Sequence, residues 1–341
     1  MRILIVSTTI FPLPPTGYSG LEMLTYQIAV GMQKKGHQVS VVAPQGSQLP
    51  EGIELIPTGI REAEQAVYMR YKDRLEKGDW DVVHDHSWEA WPYMSAVGHE
   101  PALPILHTLH TSPTIYGKPP PVMRPCFVGI SDSHCQDIRL HLGIDARRVY
   151  NGIDLIFYAQ DAGVKRNGRY LFLGRYTPEK GPLVAINLAS RLRFALDCVG
   201  DVEIVGNPEY VDRCRNLCDG LLVRFRAGVS RDETVKLYRS SKALLFPLQW
   251  SEPFGLSIVE ASACGLPVLT LHKGAMPELV KDGENGWAFW TEGDLEDAIK
   301  QDWPSKIDPV RARAVAERFS LQAMIDGYEE LYKDVAEGRR W

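Results

Sequence analysis

The chain has 341 residues, 45% hydrophobic and 24% charged. At about 150 residues per domain this length predicts about two domains, and the ordinary globular composition excludes disorder. Thirty-eight basic against 43 acidic residues give a net charge of −5, spread along the chain. That argues against a nucleic-acid binder that works by neutralising phosphates.

Short apolar runs alternate with helical stretches throughout. Ile3-Leu-Ile-Val6 reads as a buried strand, Leu21 to Lys35 as an amphipathic helix stopped by Gly36, and Gln38 to Ala43 as the next strand. Arg61 to Lys77 is a candidate helix with acids and bases about equally mixed, hence a solvated face. Asp81-Val-Val-His84, Pro104-Ile-Leu-His107 and Cys126-Phe-Val-Gly-Ile130 follow as strand-like runs. The later half adds Tyr170–Leu173, Val202–Val205, Leu221–Arg224, Ala243–Phe246 and Pro267–Thr270, and a last helix from Leu321 with apolar positions at Met324, Tyr328, Leu331, Tyr332 and Val335. Such alternation predicts α/β architecture, parallel sheets with helices on both faces. The Asn-Gly turn at 151–152 and the polar stretch Asp161 to Gly168 mark the break between two doubly wound domains. Open parallel sheets bind ligands outside the carboxyl ends of their strands, so two such domains would share a cleft.

No segment reaches the ~18 apolar residues of a membrane span. The run Ile3 to Val6 is too short for a signal peptide and meets Pro12, Pro14 and Pro15. Cytoplasmic location is expected, with at most peripheral membrane contact. Six cysteines without a C-x-x-C pair read as reduced, mostly buried thiols.

The strongest chemical signal is the string Ser251 to Leu269, SEPFGLSIVEASACGLPVL. Glu252 and Glu260 are eight positions apart, about 80° and two turns on one helix, so they do not share a helical face. The sensible arrangement puts Glu252 in the loop after the strand ending near Phe246 and Glu260 inside the following helix. The amides of Phe254, Gly255 and Leu256 would then open a helix N-terminus, an anion site. Two carboxylates beside an anion site suit a ligand with both phosphate and hydroxyls, such as a nucleotide sugar; two solvated acids on an exposed helix is the plain alternative.

This string resembles the signature glutamate pair of the retaining glycosyltransferases of family 4, which have the two-domain GT-B fold. Ala261, Gly265 and Pro267-Val268 are also similar, as are Asn151 to Asp154 at the inter-domain junction and Pro277 to Trp287 downstream. The resemblance implies an N-terminal Rossmann-like domain over 1–155 on the acceptor side and a donor-binding domain over 156–320. The helix 321–341 is expected to pack back on the first domain. It further implies that Glu260 grips the ribose hydroxyls, that Glu252 holds the sugar, and that residues at Arg175 and Lys180 stabilise the leaving diphosphate. These two stand in LFLGRYTPEKG (Leu171 to Gly181), where a strand ends at Gly174-Arg175 and a helix is expected to open near Pro178. Alone, such an Arg and Lys would read as solvated.

Between Thr8 and Glu22, Gly17 and Gly20 precede a helix and form a candidate backbone cradle for phosphate or sugar. No G-x-G-x-x-G occurs, so a nicotinamide reading loses its support. The family commonly has two adjacent glycines there, whereas here Ser19 precedes Gly20. His84, His86, His107 and His110 end two strands. Zinc ligation, sugar recognition by neutral imidazoles and plain packing compete as readings; His110 resembles the family histidine that contacts the transferred sugar, and His107 is expected to be structural. Asp79-Trp80-Asp81 has metal–nucleotide spacing but stands at the wrong end of its strand, and Cys214 and Cys218 read as a core stripe.

The expected activity is transfer of a hexose from a nucleoside diphosphate sugar, UDP-linked by family frequency and GDP-linked second, to an acceptor hydroxyl with retention. No cofactor or metal is expected. The acceptor, a carbohydrate, lipid or small molecule, is left open by the particular loops Thr8 to Tyr18 and Ser112 to Pro125. The segment Phe246 to Ser251 also departs from the family version. A glycosyl phosphorylase, a nucleotide-sugar epimerase and a non-catalytic sugar-nucleotide binder are the rival readings.

Overall fold

The computed structural model describes every residue except Tyr18, 97–102, 116–125 and 203–206. Most of the loop Ser112 to Pro125 and three residues of the run Val202 to Val205 therefore lie outside the described residues. The chain divides into two units, Met1–Gly152 joined by Leu321–Trp341, and Ile153–Ser320.

The first unit holds β1 (Arg2–Val6), β2 (Gln38–Pro44), β3 (Ile53–Thr58), β4 (Val82–Asp85), β5 (Ile105–Thr108), β6 (Cys126–Gly129) and β7 (Ala146–Arg148). They form one parallel sheet in the order β3-β2-β1-β4-β5-β6-β7. The second unit holds β8 (Tyr170–Leu173), β9 (Leu196–Gly200), β10 (Val223–Ala227), β11 (Ala243–Phe246), β12 (Val268–Leu271) and β13 (Gly286–Phe289), in the order β10-β9-β8-β11-β12-β13. Each sheet therefore reverses its strand order once, between β1 and β4 and between β8 and β11. At such a switch point the connections leave in opposite directions and open a crevice at the carboxyl edge.

The central strands are apolar on both faces because helices cover both faces. Ile3, Leu4, Ile5, Val82, Val83, Leu171, Phe172, Leu244 and Leu245 are fully buried. The helix Leu321–Ala336 belongs to the first unit and buries Met324, Ile325, Tyr328, Leu331, Tyr332 and Val335. Each large apolar side chain so buried contributes about 1.5–3 kcal/mol. Lys35 fixes the helix from outside through Asp326 at 2.7 Å and Glu329 at 3.0 Å.

Three strands carry no clean apolar run and escape a reading by pattern: β3 contains Pro57, β7 is Ala-Arg-Arg, and β13 is a short edge strand. A fourth, β9, buries Asp197 in its interior, satisfied by the Arg169 guanidinium at 3.0 Å.

Candidate active site

At the exit of β8 the chain makes a single 3₁₀ turn, Pro178–Lys180, and the long helix starts at Pro182. The helix expected at Pro178 thus begins four residues later. Gly181, at φ +76°, interrupts it, and a Cβ there would stand 2.0 Å from the Pro247 carbonyl oxygen. That close approach, with the Gln249 N–H donating to the Glu179 carbonyl at 2.8 Å, stitches the β8 exit to the β11 exit. Lys180 is thereby carried to Glu252.

The Lys180 ammonium and the Glu252 carboxylate form a hydrogen-bonded ion pair, their side chains only 12% and 8% exposed. Trp250 Nε1–H donates to the same Oε2 at 2.8 Å, and its ring centroid lies 5.2 Å from Lys180 Nζ. Burial holds the Lys180 pKa below its ordinary value; Arg175 pushes the same way and Glu252 opposes. Arg175 itself is exposed and forms no ion pair among the described residues. The structure thus brings Lys180 and Glu252 together at the β8/β11 switch point, with the Arg175 charge near enough to be felt by Lys180. Trp250 was not singled out from sequence, although it belongs to the segment that departs from the family version.

Glu252 is fixed from the other side by the turn after β12. Gly274, at φ +56°, presses on its backbone so closely that a Cβ would lie 2.3 Å from Glu252 N and O, and Ala275 N–H donates to the Glu252 carbonyl at 2.9 Å. Gly255 caps the helix Leu256–Ala263, with Leu256 its first residue. The Phe254 ring is core, edge-on to Phe319 at 5.7 Å. Downstream, buried Asn285 donates to Ser262 Oγ and to the Leu279 carbonyl, both at 2.9 Å, binding the next turn to this helix.

Glu260 is buried inside that helix, as its spacing from Glu252 requires, and belongs to a second cluster. Tyr158 OH donates to Oε1 at 2.8 Å and Tyr238 OH to Oε2 at 2.9 Å. Burial beside this carboxylate raises the Tyr158 pKa, so the hydroxyl stays protonated. Neither tyrosine carries a sequence signal, because each lies in an element far from Glu260 along the chain.

In the first unit, Gly17 stands in an exposed loop and Gly20 opens the helix Gly20–Lys34. Ser19 takes the N-cap position, yet its hydroxyl donates to Glu22, which also accepts from Thr8 Oγ1 at 2.5 Å. Where the family has a second glycine, this chain ties its loop to a buried carboxylate.

The histidines form a stack. His84 is fully buried between the Tyr332 hydroxyl at 2.5 Å from Nδ1 and Thr108 Oγ1 at 2.8 Å from Nε2. His86 packs its ring 3.9 Å from that of His84, and its Nδ1 lies 2.8 Å from His110 Nε2. His107 stays within β5, its Nδ1 2.7 Å from Asp85 Oδ2. Burial pushes His84 and His86 well below the usual imidazole pKa and holds His110 at about 3, so all three are neutral.

Among the described residues no group of three or more His, Cys, Asp or Glu is arranged to hold a metal. Asp79 and Asp81 are engaged by Arg2 at the amino end of β4, at 2.9 Å and 2.6 Å. Cys214 is buried, and the Cys218 thiol donates to its carbonyl. No helix among the described residues is long and apolar enough to cross a membrane.

Two Rossmann-like parallel-sheet units, the second with Lys180 paired to Glu252 at its switch point, have the architecture of the GT-B glycosyltransferases. The chain matches the family "Glycosyltransferase Family 4" over residues 18–157 and "Glycosyl transferases group 1" over 160–302. It is 31% identical over 321 residues to a phosphatidyl-myo-inositol mannosyltransferase of Mycobacterium leprae, covering 84% of this chain and 82% of that one. A D-inositol 3-phosphate glycosyltransferase of Actinosynnema mirum is 26% identical over 351 residues, with 84% of each chain covered. The crystal structure of AviGT4, a glycosyltransferase involved in avilamycin A biosynthesis, superposes with a TM-score of 0.76 at 23% identity, over 100% of this chain and 99% of that one. The chain belongs to glycosyltransferase family 4.

Proposed function

We propose that this glycosyltransferase moves a hexose, with retention of anomeric configuration, from a nucleoside diphosphate sugar to a hydroxyl of an inositol-type acceptor. The observation that carries the reading is the buried Lys180–Glu252 ion pair at the β8/β11 switch point, where the exposed Arg175 charge also acts on Lys180. Relatives named for mannosyl transfer to phosphatidyl-myo-inositol and for glycosyl transfer to inositol phosphate support the acceptor class and favour mannose as the hexose.

In this mechanism the bond from the anomeric carbon to the diphosphate oxygen breaks through an oxocarbenium-like transition state. The acceptor oxygen attacks from the same face, and its proton passes to the departing phosphate oxygen. Negative charge grows on the diphosphate, and Arg175 and Lys180 stabilise it together with the amides around Gly255. Arg offers a planar fork and Lys a compact charge. Lys180 is held by Glu252 before the donor arrives and is then shared with the diphosphate, while Glu252 orients the sugar hydroxyls. Glu260, fixed by two tyrosines, takes the ribose hydroxyls. Neutral His110 hydrogen-bonds the sugar; an imidazolium there would repel the oxocarbenium charge. Gly17 and Gly20 let backbone approach the donor. Because side chains supply the neutralising charge, no metal is required, and membrane contact is peripheral at most.

The test is a thermal-shift panel of UDP, GDP, ADP and dTDP, followed by turnover of the corresponding hexose donors with phosphatidylinositol vesicles. The matching nucleotide at 100 times its Kd should stabilise by ~2.7 kcal/mol. GDP, the usual carrier of activated mannose, fits the mannose reading, and UDP, first by family frequency, is the alternative for another hexose. The product should keep the donor's anomeric configuration by NMR, and turnover should persist in EDTA. An inverted product, or activity lost to chelator and restored by a divalent ion, defeats the mechanism.

A further inference from the structure

The first unit's switch point carries three buried polar atoms for which the mechanism above has no use, Ser7 Oγ, His86 Nε2 and Ser87 Oγ, and the first two belong together. Val6 and Asp85 are paired across β1 and β4, so Ser7 and His86, the next residue on each strand, stand abreast on one face of the sheet. The His86 N–H donates to the Val6 carbonyl at 2.9 Å and the Ser7 N–H to the Val42 carbonyl at 2.9 Å. Both main-chain N–H groups are therefore satisfied. The side chains are not: Ser7 Oγ and His86 Nε2 are buried, at 3% and 1% residue exposure, and have no hydrogen-bond partner among the described residues. An unsatisfied buried donor or acceptor costs about 1–3 kcal/mol, and two abreast at a ligand-binding edge call for an explanation.

The layer below offers no partner. His84, on which His86 stacks, spends both nitrogens on Tyr332 and Thr108, and Thr108 is in turn 3.1 Å from the Tyr328 hydroxyl. His86 Nδ1 is occupied by His110.

We propose that Ser7 Oγ and His86 Nε2 bind a hydroxyl group of the acceptor, and that the acceptor's reacting end is an uncharged polyol. The chemistry selects this class. One nitrogen of the His86–His110 contact must donate and the other accept, so His86 Nε2 is a lone pair in one tautomer and an N–H in the other. A hydroxyl complements either, as does a serine hydroxyl beside it. A phosphate would require donors and positive charge, and burial keeps His86 neutral. His86 thus links the acceptor hydroxyl to His110, the residue assigned above to the transferred sugar.

The inference rests on the transferase reading for the word acceptor, but the binding site can be tested without it. The probe is myo-inositol, observed by saturation-transfer NMR on the intact chain alone and in the presence of saturating UDP or GDP. Wild type should bind in at least one of these states, and Ser7→Ala should weaken binding about tenfold, the loss of one hydrogen bond. His86→Phe, which keeps the ring stack, should abolish it. Nucleotide affinity of Ser7→Ala should stay at the wild-type value, and its urea midpoint should rise, because the variant loses an unsatisfied buried hydroxyl. The proposal is overturned if wild type binds no inositol in any state, or if Ser7→Ala binds it unchanged. If inositol binding depends on Ser7 while no donor is turned over, the site stands and the transferase reading fails. Turnover with an acceptor KM indifferent to Ser7→Ala has the opposite meaning.

Discussion

The two sheets have the same central strand order, yet their carboxyl edges differ in chemistry: the second gathers cations, the first imidazoles and hydroxyls, with the buried acids Asp85 and Glu22 bonded to His107 and Thr8. The β8/β11 switch point gathers Lys180 and Glu252, with Arg175 acting on Lys180. The β1/β4 switch point gathers Ser7, His84 and His86, with His110 beside them, hydroxyls and imidazoles held uncharged by burial. The topology supplies a crevice in each case, and the residues that follow each strand decide what it handles. On the proposed mechanism, the β8/β11 edge meets a leaving group that gains charge and the β1/β4 edge meets hydroxyls that do not.

The largest effect should come from stripping charge from the second edge. Arg175→Ala with Lys180→Ala should lower kcat by at least about 10⁴-fold, since one preorganised donor is worth roughly 10²–10³. Steady-state kinetics with saturating donor measures it, and wild-type turnover in the double variant would remove the diphosphate assignment. Lys180→Ala alone should also lower the melting temperature, because it leaves the Glu252 carboxylate in a dry site with only the Trp250 N–H.

The neutral edge should show itself in acid. His84, His86 and His110 have depressed pKa values in the folded chain, so below about pH 6.5 the unfolded chain takes up three protons that the folded one refuses. Stability then falls as pH falls. Glu64 works the other way: burial pushes it up to about 7, while it accepts from the Trp88 and Glu89 N–H groups at 2.7 Å, so folding takes up one proton there. The net difference of two protons gives a slope approaching about 2.7 kcal/mol per pH unit near pH 5. Urea unfolding at pH 7.5, 6 and 5 reads it directly. A flat profile across that range would mean that the imidazoles are not held neutral.

Much of this contrast was legible in the chain itself. Apolar runs bounded by Gly and Pro located β1, β2, β8 and β11, because central parallel strands have no polar face to interrupt the signal. The eight-residue spacing of Glu252 and Glu260 required a loop and a helix, and both are present. What stayed hidden depends on tertiary approach. Gly181 and Gly274 look like ordinary loop glycines until the Pro247 and Glu252 main chains are seen against them. The partners of Glu260 come from Tyr158 and Tyr238, 102 and 22 residues away. Ser7 is one more small residue after a strand, and only burial beside His86 makes it chemical.

The smallest expected effect separates positioning from packing at Glu260. Tyr238→Phe keeps the buried ring and removes one donor from the carboxylate, so stability should fall by about 1.5–3 kcal/mol, the range for a hydrogen bond to a charged group. A merely structural tyrosine would stop there. If Tyr238 orients Glu260 toward the ribose, wild type should bind its nucleotide more tightly than the 2′-deoxy analogue, and Tyr238→Phe should erase most of that preference, a change of about five- to tenfold. The kcat at saturating donor should move far less than the donor KM, because the ribose takes no part in bond breaking. Equal discrimination in wild type and variant would leave Glu260 and its tyrosines as part of the fold, with no role in holding the donor.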